Sequence, residues 1–443
     1  MSFYRSAEPV RTYYVYNAAL SFLFALSFTL SAVYYVRDAG LNPLQLVLVG
    51  TVLELSCFLF EIPTGIVADL YSRRLSLVIG FVLIGAGFLL QALVPAFLAI
   101  LAAQVLWGIG FTFTSGADQA WITDEIGTER AAGVFVRAQQ FELGGTIVGT
   151  VVAGVLGLIS LPLPMVLSGA GMILLGLVLH VVMREQNFHR TPREERETFR
   201  QMADTFRAGL HAARRRPVVR TLVIISLVAG LSSEAFDRLW SVKLLTFTFP
   251  TVFGTSDPAI WFTLFALAGT LLSLSASLTL TRFFPGLLKS AHPTGILATL
   301  ALLQGAGVIT FALVGNLWLA LAALWLRTIA DTVRMPIESA WLNRHVDSRS
   351  RATVISIVSQ ANAIGQVAGG PPLGALGRTS LRAALLASGL ILAPITALYL
   401  RLGNGPRRWR RSPEGRTSPT HQPLGAADPR ACPRSAPADP RPW

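Results

Sequence analysis

The stretch FEIPTGIVADLYSRRLSLVIG, residues 60–80, joins two long apolar segments through a short charged junction. The junction contains Asp69, Arg73 and Arg74, and the helix-breaking residue Gly65 precedes them. Charges confined to the boundary between two apolar runs are typical of a loop between membrane-spanning helices. The rest of the chain decides whether this stretch is such a loop.

The composition of the chain indicates a protein that lies in a lipid bilayer. Of its 443 residues, 52% are hydrophobic and only 14% are charged, whereas a soluble domain contains about 25% charged residues. In lipid, only α-helices and closed β-barrels satisfy every backbone polar group. The apolar runs here reach about 20 residues, far more than the roughly ten of a barrel strand. We therefore predict an all-α polytopic membrane protein.

The apolar runs predict twelve membrane-spanning helices. We place them at residues 13–36, 44–67, 76–95, 97–120, 134–159, 161–183, 218–243, 260–282, 293–313, 317–340, 352–376 and 380–402. Arginines concentrate on one side of this arrangement, so we expect both termini in the cytoplasm and the protein in the plasma (inner) membrane. The same asymmetry accounts for the net charge of +13 without any binding of nucleic acid.

An internal repeat predicts two pseudo-symmetric halves of six helices each. GADQAWITDEIGTERAAGVFVRAQQ, which starts at Gly116, resembles PIESAWLNRHVDSRSRATVISIVSQ, which starts at Pro336. Parallel half repeats are typical of secondary transporters. We predict an N-terminal half at 1–184, a cytoplasmic linker with an amphipathic helix at 185–217, a C-terminal half at 218–402 and a disordered cytoplasmic tail at 403–443. The alternative for the linker is a solvated tether.

With these features, residues 10–402 resemble the major facilitator superfamily. The loop between the second and third spans of that family reads roughly G-x-x-x-D-R-x-G-R-R/K, and here it reads GIVADLYSRR. The matching residues are Gly65, Asp69, Arg73 and Arg74, whereas Leu70 and Ser72 depart from the pattern. The resemblance implies secondary transport by alternating access, and we assign the chain to the bacterial branch that exports drugs and metabolites.

The resemblance also implies a conformational latch at this loop. Gly65 would allow neighbouring helices to approach closely. Asp69 would lie at the N-terminus of the eleventh span, where the helix dipole favours an anion. Arg73, with Arg74 beside it, would join Asp69 to Asp118 when the halves close on the cytoplasmic side. The alternative is a loop that is held only by ordinary inside-positive charge.

Carboxyl groups within the spans are candidates for proton coupling. An ionised group at the bilayer centre costs about 2.5–3.5 kcal/mol on insertion scales, so its presence needs a reason. Glu234 of the seventh span is the first candidate, followed by Glu54 of the second span and by Asp237. Removal from water favours the neutral form of a carboxyl group. The alternative for Glu234 is a salt bridge to Arg238 one turn later.

The tenth span carries four charged residues on one helix face: Arg327, Asp331, Arg334 and Glu338. The resemblance places this span beside a central cavity, so Arg327 and Asp331 are candidates for substrate contact. We expect Arg334 and Glu338 to form structural ion pairs. Glu142 of the fifth span has the same expected role, with a nearby arginine as its partner.

Polar and aromatic residues of the first, fourth and tenth spans are further candidates for the lining of the cavity. They are Asn17, Gln104, Trp107, Phe111 and Trp325. Aromatic side chains suit flat or hydrophobic substrates. The alternative is that the aromatic residues lie at the membrane interface, where they are common.

The motifs of common enzyme classes are missing from the sequence. There is no G-x-x-x-x-G-K-[ST] run, no histidine pair at zinc spacing and no G-x-S-x-G among the 443 residues. We therefore expect no enzymatic activity, no cofactor and no metal ion.

The predicted function is proton-coupled efflux, by antiport, of a small hydrophobic or amphipathic compound. We expect a monomer whose partners are this substrate, protons and the bilayer. One alternative is a proton-linked uptake symporter for a small anionic metabolite. Another is a polytopic membrane sensor or lipid-handling protein that does not transport.

Overall fold

The computed structural model describes residues 2–188, 217–252, 254–290, 292–346 and 351–403. These residues form fourteen helices, and their only β-structure is an isolated bridge between Val252 and Thr255. The helices are α1 (Ser2–Arg37), α2 (Pro43–Leu70), α3 (Arg73–Leu93), α4 (Phe97–Thr114), α5 (Ala117–Ile126), α6 (Thr128–Gly157), α7 (Leu163–Val182), α8 (Pro217–Leu244), α9 (Pro258–Phe283), α10 (Pro285–Lys289), α11 (Thr294–Leu313), α12 (Leu317–His345), α13 (Arg351–Thr379) and α14 (Leu381–Gly403).

Local sequence signals explain where helices begin and break. At the start of α2, the backbone N–H of Gln45 donates to the Asn42 side chain at 3.1 Å, and the backbone N–H of Asn42 donates to the Gln45 side chain at 3.0 Å. This is a capping box. Gly116 has a φ of +72°, which glycine adopts without strain, and it separates α5 from α4. The predicted fourth span, 97–120, is therefore two helices that continue to Ile126.

The predicted number of spans is confirmed. Ten helical segments of the described chain are long and apolar enough to cross a membrane, with α4 and α5 counted as one segment. Helices α12 and α13 are equally long but more polar, since α12 carries the charged face predicted for the tenth span. Together these segments make the twelve spans of an all-α polytopic fold.

The two halves repeat the same packing. In the first half, α1 packs on α6, and α3 packs on α4 and α7. In the second half, the equivalent pairs are α8 with α13, and α11 with α12 and α14. The fold therefore has the pseudo-symmetry that the sequence repeat predicts.

The boundaries of the predicted regions at 184, 217 and 402 stay predictions. Helices α1 to α14 belong to one contact unit that ends at Gly403. Residues 189–216, which make up most of the predicted linker, and residues 404–443 of the predicted tail lie outside the described residues.

The halves contact each other at one end of the bundle, which we call the closed end. It is the end at which α1 connects to α2 and α6 connects to α7. There, a Cβ atom at Gly154 of α6 would lie 3.0 Å from Cβ of Thr263 of α9, and one at Gly374 of α13 would lie 3.0 Å from Cβ of Val47 of α2. At the opposite, open end, a Cβ atom at Gly65 of α2 would have no described atom within 4 Å. The halves therefore diverge from the closed end to the open end.

Candidate functional site

Asp237 of α8 and Arg327 of α12 form an ion pair within the second half. Nη2 of Arg327 lies 2.9 Å from Oδ1 of Asp237, and its guanidinium carbon lies 4.3 Å from the ring centroid of Phe236, a cation–π contact. Nε of Arg327 is buried and has no hydrogen-bond partner among the described residues. The side chain of Asp237 is 48% exposed. The pair thus combines an accessible carboxylate with a guanidinium that has an unused donor.

Glu234 and Arg238, also on α8, form a second ion pair at the contact between the halves. Nε of Arg238 donates to Oε1 of Glu234 at 3.0 Å, and the side chain of Glu234 is only 3% exposed. A Cβ atom at Gly50 of α2 would overlap Oε1 of Glu234, and one at Gly370 of α13 would lie 3.2 Å from its Cγ. The salt bridge that the i, i+4 spacing predicts is therefore present, and glycines of two other helices leave the space for it.

Glu54 of α2, the second candidate for proton coupling, lies near Glu234 and Arg238. It is partly buried and interacts electrostatically with both Glu234 and Arg238. We call Glu54, Glu234, Asp237, Arg238 and Arg327 the charge cluster. Its three carboxyl groups and two guanidinium groups would carry a net charge of −1 if all were ionised. The structure thus assembles all three predicted coupling residues, from both halves, around two arginines.

The charged face of α12 continues toward the open end as a chain of ion pairs. Nη2 of Arg334 lies 2.8 Å from Oδ1 of Asp331, and Nη1 of Arg334 contacts Oε2 of Glu338. Nε2 of Gln304 on α11 donates to Oδ1 of Asp331 at 3.3 Å. Since both acids are within one helical turn of Arg334, each group compensates the charge of its neighbour.

The two arginines of the predicted latch loop make contacts within the first half. Arg73 pairs with Asp124 of α5 at 3.2 Å. The break at Gly116 allows α5, which carries Asp124, to pack against α3. The contact of Arg73 with Asp118 was predicted for a state that is closed on the cytoplasmic side, and it stays a prediction. The side chain of Arg74 donates to the carbonyl oxygen of Met183 at 3.3 Å.

The other three latch residues are Gly65, Asp69 and Asp118. Gly65 mediates no close helix contact here, because the halves are apart at the open end. The backbone of Asp69 belongs to α2, but its side chain lies outside the described residues. Asp118 interacts with Tyr16 of α1, so it too is engaged within its own half.

Comparison with known proteins supplies the family. The family model of the Major Facilitator Superfamily matches residues 15–307. The chain belongs to the major facilitator superfamily. A curated relative, the uncharacterized MFS-type transporter YxaM of Bacillus subtilis (strain 168), is 21% identical over 342 residues, which are 76% of this chain and 81% of the relative.

Solved structures of transporters share the superfamily fold. A bacterial homolog of the human lysosomal transporter Spinster, in an inward-facing and unoccupied conformation, aligns with a TM-score of 0.67 at 16% identity, over 92% of this chain and 99% of that one. The nucleoside transporter NupG aligns with a TM-score of 0.69 at 13% identity, over 90% of this chain and 100% of that one. The protein is therefore a multi-pass membrane transporter for small molecules and is not an enzyme.

Two residues predicted to line the transport cavity are instead buried within the first half. Gln104 of α4 donates through Nε2 to Oε1 of Gln91 at 2.9 Å, and the hydroxyl of Tyr35 donates to the same oxygen at 2.7 Å. Asn17 of α1 donates to the carbonyl oxygen of Tyr13 at 2.8 Å and is also buried. Each amide donates a hydrogen bond within the first half, although Oε1 of Gln104 is buried without a partner among the described residues. Because both side chains are buried, the expectation that they line a cavity does not fit this state.

The aromatic candidates have different surroundings. Trp107 of α4 packs against Phe28 and Phe88, at centroid distances of 5.0 and 5.6 Å, and its Nε1 is buried without a partner among the described residues. Phe111, one helical turn later, is 46% exposed. Trp325 packs against the core of the second half. In the first half, Phe111 thus supplies an exposed ring and Trp107 supplies a buried donor without a partner.

Glu142 does not form its predicted ion pair. Among the described side chains it pairs with neither Arg137 nor Arg334, since Arg334 is already held by two acids of its own helix. Glu142 is partly buried on α6 and lies close enough to Asp118 for electrostatic repulsion.

The sequence reasoning missed the acid that holds the latch loop. Glu185 accepts from the hydroxyl of Ser72 at 2.5 Å and from the backbone N–H of Arg73 at 2.7 Å. Glu125 of α5 in turn accepts from the backbone N–H groups of Gln186 and Asn187 at 2.8 and 3.0 Å. The sequence did offer a signal, because Glu185 follows the sixth span directly and would lie on the same side of the membrane as Arg73 and Arg74. It was missed because Ser72 and Arg73, which contact Glu185, are 113 and 112 residues away in the chain.

Proposed function

We propose that this superfamily member is a proton-coupled antiporter that exports a small hydrophobic or amphipathic compound by alternating access. The observation that supports it most strongly is the charge cluster, which joins both halves and has one carboxylate more than it has arginines. A proton on one of the three carboxyl groups would make the cluster neutral. Such a proton is favoured most at the buried Glu234, because an uncompensated charge away from water is costly.

The two ends of the charge cluster differ in access to water, as proton exchange requires. Glu234 is enclosed between Gly50 and Gly370 at the closed end, whereas Asp237 is half exposed. Opening of the closed end would separate α2 from α8 and α13 and uncover Glu234. When the closed end is open, a proton would bind a carboxylate of the cluster from that side. When the open end is open, as here, the proton would leave toward the open end.

Charge asymmetry and exposed aromatics support the remaining parts of the proposal. Arg73, Arg74 and Arg344 lie at the open end, so we place that end and both termini on the cytoplasmic side of the inner membrane. Phe28 and Phe111 are partly exposed and offer apolar surface to a substrate. We also propose that the monomer is the functional unit, because each chain contains both halves of the cluster.

The test is substrate-driven proton movement into liposomes that contain a pH-sensitive dye. Pooled cationic, neutral and anionic compounds are added to the wild type, to Glu234→Gln and to the control Glu61→Gln, which changes an exposed acid of α2. We expect the control to behave like the wild type and Glu234→Gln to lose the proton flux. Unchanged flux in Glu234→Gln, Glu54→Gln and Asp237→Asn alike would refute coupling by this cluster.

A second candidate function is proton-linked uptake of a small anion. It is favoured by Arg327, whose buried Nε has no partner among the described residues and whose Asp237 partner is accessible enough to be displaced. The same liposomes separate the two functions. Proton and substrate move in the same direction in symport and in opposite directions in antiport.

A further inference from the structure

Three buried polar side chains of the first half are joined by hydrogen bonds at the closed end. Nε2 of Gln104 on α4 donates to Oε1 of Gln91 on α3 at 2.9 Å, and the hydroxyl of Tyr35 on α1 donates to the same oxygen at 2.7 Å. All three residues are buried. We call Gln104, Gln91 and Tyr35 the amide–tyrosine network; the proposed transport function does not account for it.

The amide–tyrosine network fixes the direction of the Tyr35 hydroxyl. An amide oxygen has two lone pairs, and Oε1 of Gln91 uses them to accept from Gln104 and from Tyr35. These two donors assign the oxygen of the Gln91 amide, and not its nitrogen, to this position. Because the hydroxyl proton of Tyr35 is donated to Gln91, its oxygen presents only lone pairs to its other neighbours.

Arg238 of the second half is one of these neighbours. Its charge and the Tyr35 hydroxyl interact electrostatically. The packing agrees, because Tyr35 belongs to an apolar cluster that also contains Val49 of α2 and is covered by Val242 of α8. Val49 precedes Gly50, at which a Cβ atom would lie 2.4 Å from Nε of Arg238, and Val242 lies one helical turn after Arg238. The first half thus places an acceptor oxygen near the guanidinium of the second half.

The observed orientation of the network has a cost that Arg238 offsets. Oε1 of Gln104 is buried without a partner among the described residues. If both amides turned over, Nε2 of Gln91 would donate to that oxygen, and Tyr35 would accept from Gln91 instead of donating to it. The hydroxyl proton would then lie on the side of Arg238, where its positive end and the guanidinium repel each other. The charge of Arg238 therefore favours the observed orientation.

We propose that Tyr35 is a positioning residue of the charge cluster, held by Gln91 and Gln104 with its acceptor side toward Arg238. Arg238 then lies between Glu234, an acid of its own half, and an oxygen of the other half. This contact stabilises the closed end over Glu234, and the halves must break it before Glu234 can exchange a proton on that side. The proposal rests on the proposed role of the cluster in proton coupling and adds a residue of α1 to it.

The test is the separation of the halves at the closed end. It is measured by electron paramagnetic resonance between spin labels at the exposed positions Asp38 and Arg378, in a background without Cys57 and Cys432. Tyr35→Phe removes the acceptor oxygen and keeps the ring. Loss of one hydrogen-bonding partner shifts an equilibrium about two- to tenfold, so the population with the closed end apart should rise by about that factor.

Tyr34→Phe is the matched control. Tyr34 is the neighbouring buried tyrosine, and its hydroxyl donates to the carbonyl oxygen of Gln91 at 2.6 Å. Among the described residues, it interacts electrostatically with Asp38 rather than with Arg238. We expect Tyr34→Phe to show the wild-type label distances, although it too removes a buried hydroxyl that contacts Gln91.

Gln104→Met tests the network without a change at Tyr35. It keeps the Tyr35 hydroxyl but removes the donor that fixes the Gln91 amide. It should shift the closed end in the same direction as Tyr35→Phe, and the double variant should shift it no further than Tyr35→Phe alone.

A background without the ion pair separates positioning from packing. In Glu234→Gln with Arg238→Gln, the guanidinium is gone, so the further change Tyr35→Phe should leave the label distance unchanged. Three results would overturn the proposal: wild-type distances in Tyr35→Phe, an equal change in Tyr34→Phe, or an effect of Tyr35→Phe that persists in this background.

The outcome is independent of the proton-flux test. If Tyr35→Phe leaves the closed end unchanged while Glu234→Gln abolishes proton flux, the positioning role is wrong and the transport proposal stands. If Tyr35→Phe opens the closed end while proton flux survives Glu234→Gln, Glu54→Gln and Asp237→Asn, the positioning role stands and coupling by the cluster fails.

Discussion

At the scale of single residues, Gly50 of the first half lies directly against Glu234 of the second half. The carboxylate occupies the position that any side chain at residue 50 would need, and Arg238 fills the space beside it. On the other side of the carboxylate, a Cβ atom at Gly370 of α13 would lie 3.2 Å from Cγ of Glu234. Glycine at position 50 is therefore required for the closed end to close over a buried ion pair.

We predict that Gly50→Ala destabilises the closed end without changing any charge. Overpacking costs about 1–3 kcal/mol, which shifts an equilibrium by roughly 5–150-fold. Spin labels at the exposed positions Asp38 and Arg378, on opposite halves, report the separation of the closed ends by electron paramagnetic resonance. The label distance should lengthen and transport should slow. Gly295→Ala of α11 is the matched control, since this glycine is exposed and a Cβ atom there would have no described atom within 4 Å, and equal distances in both variants would contradict the prediction.

The sequence predicted contacts along a helix better than contacts between helices. The pairing of Glu234 with Arg238 follows from their spacing of four residues, and so does that of Arg334 with Glu338. The contact of Glu234 with Gly50 does not, because it depends on how the halves meet. Gln104 was misplaced for the same reason: its partner Gln91 belongs to another helix, and a buried amide cannot be distinguished by sequence from one that faces a cavity.

At the scale of elements, the start of α3 is held by residues that follow α7. Glu185 accepts from Ser72 and from the backbone N–H of Arg73, at a helix N-terminus where the dipole favours an anion. In the second half, the segment before α11 is held from the end of α12 instead. There, Arg344 at the end of α12 donates to the carbonyl oxygens of Leu288, Lys289 and Ser290.

We predict that Glu185→Ala lowers the stability of the first half. Loss of a helix cap costs about 0.5–2 kcal/mol, since the backbone N–H of Arg73 loses its partner. The apparent melting temperature of the purified protein in detergent should fall, and that of the control Glu61→Ala should not. Equal melting temperatures for Glu185→Ala and the wild type would show that water replaces the carboxylate without cost.

Helix lengths and the repeat were predictable because they depend on hydropathy and on local similarity. The break between α4 and α5 was not, although Gly116 lies at the start of the quoted repeat. A glycine within a helical pattern is compatible with continuation or with a break. The break moves Asp124 to Arg73 and so decides which acid the latch loop meets in this state.

At the scale of the whole molecule, the two-half architecture was predictable, but the state in which the halves stand was not. One sequence must be compatible with both states of a transporter. It therefore encodes the helix surfaces that can meet at either end of the bundle, but it does not show at which end the halves are in contact in a given state. The predicted contacts of Gly65 belong to a state with the open end closed. The contacts of Gly154 and Gly374 belong to the state described here.

We predict that a disulfide across the closed end stops transport reversibly. A Cβ atom at Gly154 would lie 3.0 Å from Cβ of Thr263, close to the separation of about 3.5–4.5 Å found in disulfides. Gly154→Cys with Thr263→Cys, in a background without Cys57 and Cys432, should cross-link on oxidation and lose transport, and reductant should restore it. Each single-cysteine variant controls for the substitution itself. Full transport by the oxidised, cross-linked protein would show that the closed end need not open, and would exclude alternating access through movement of α6 against α9.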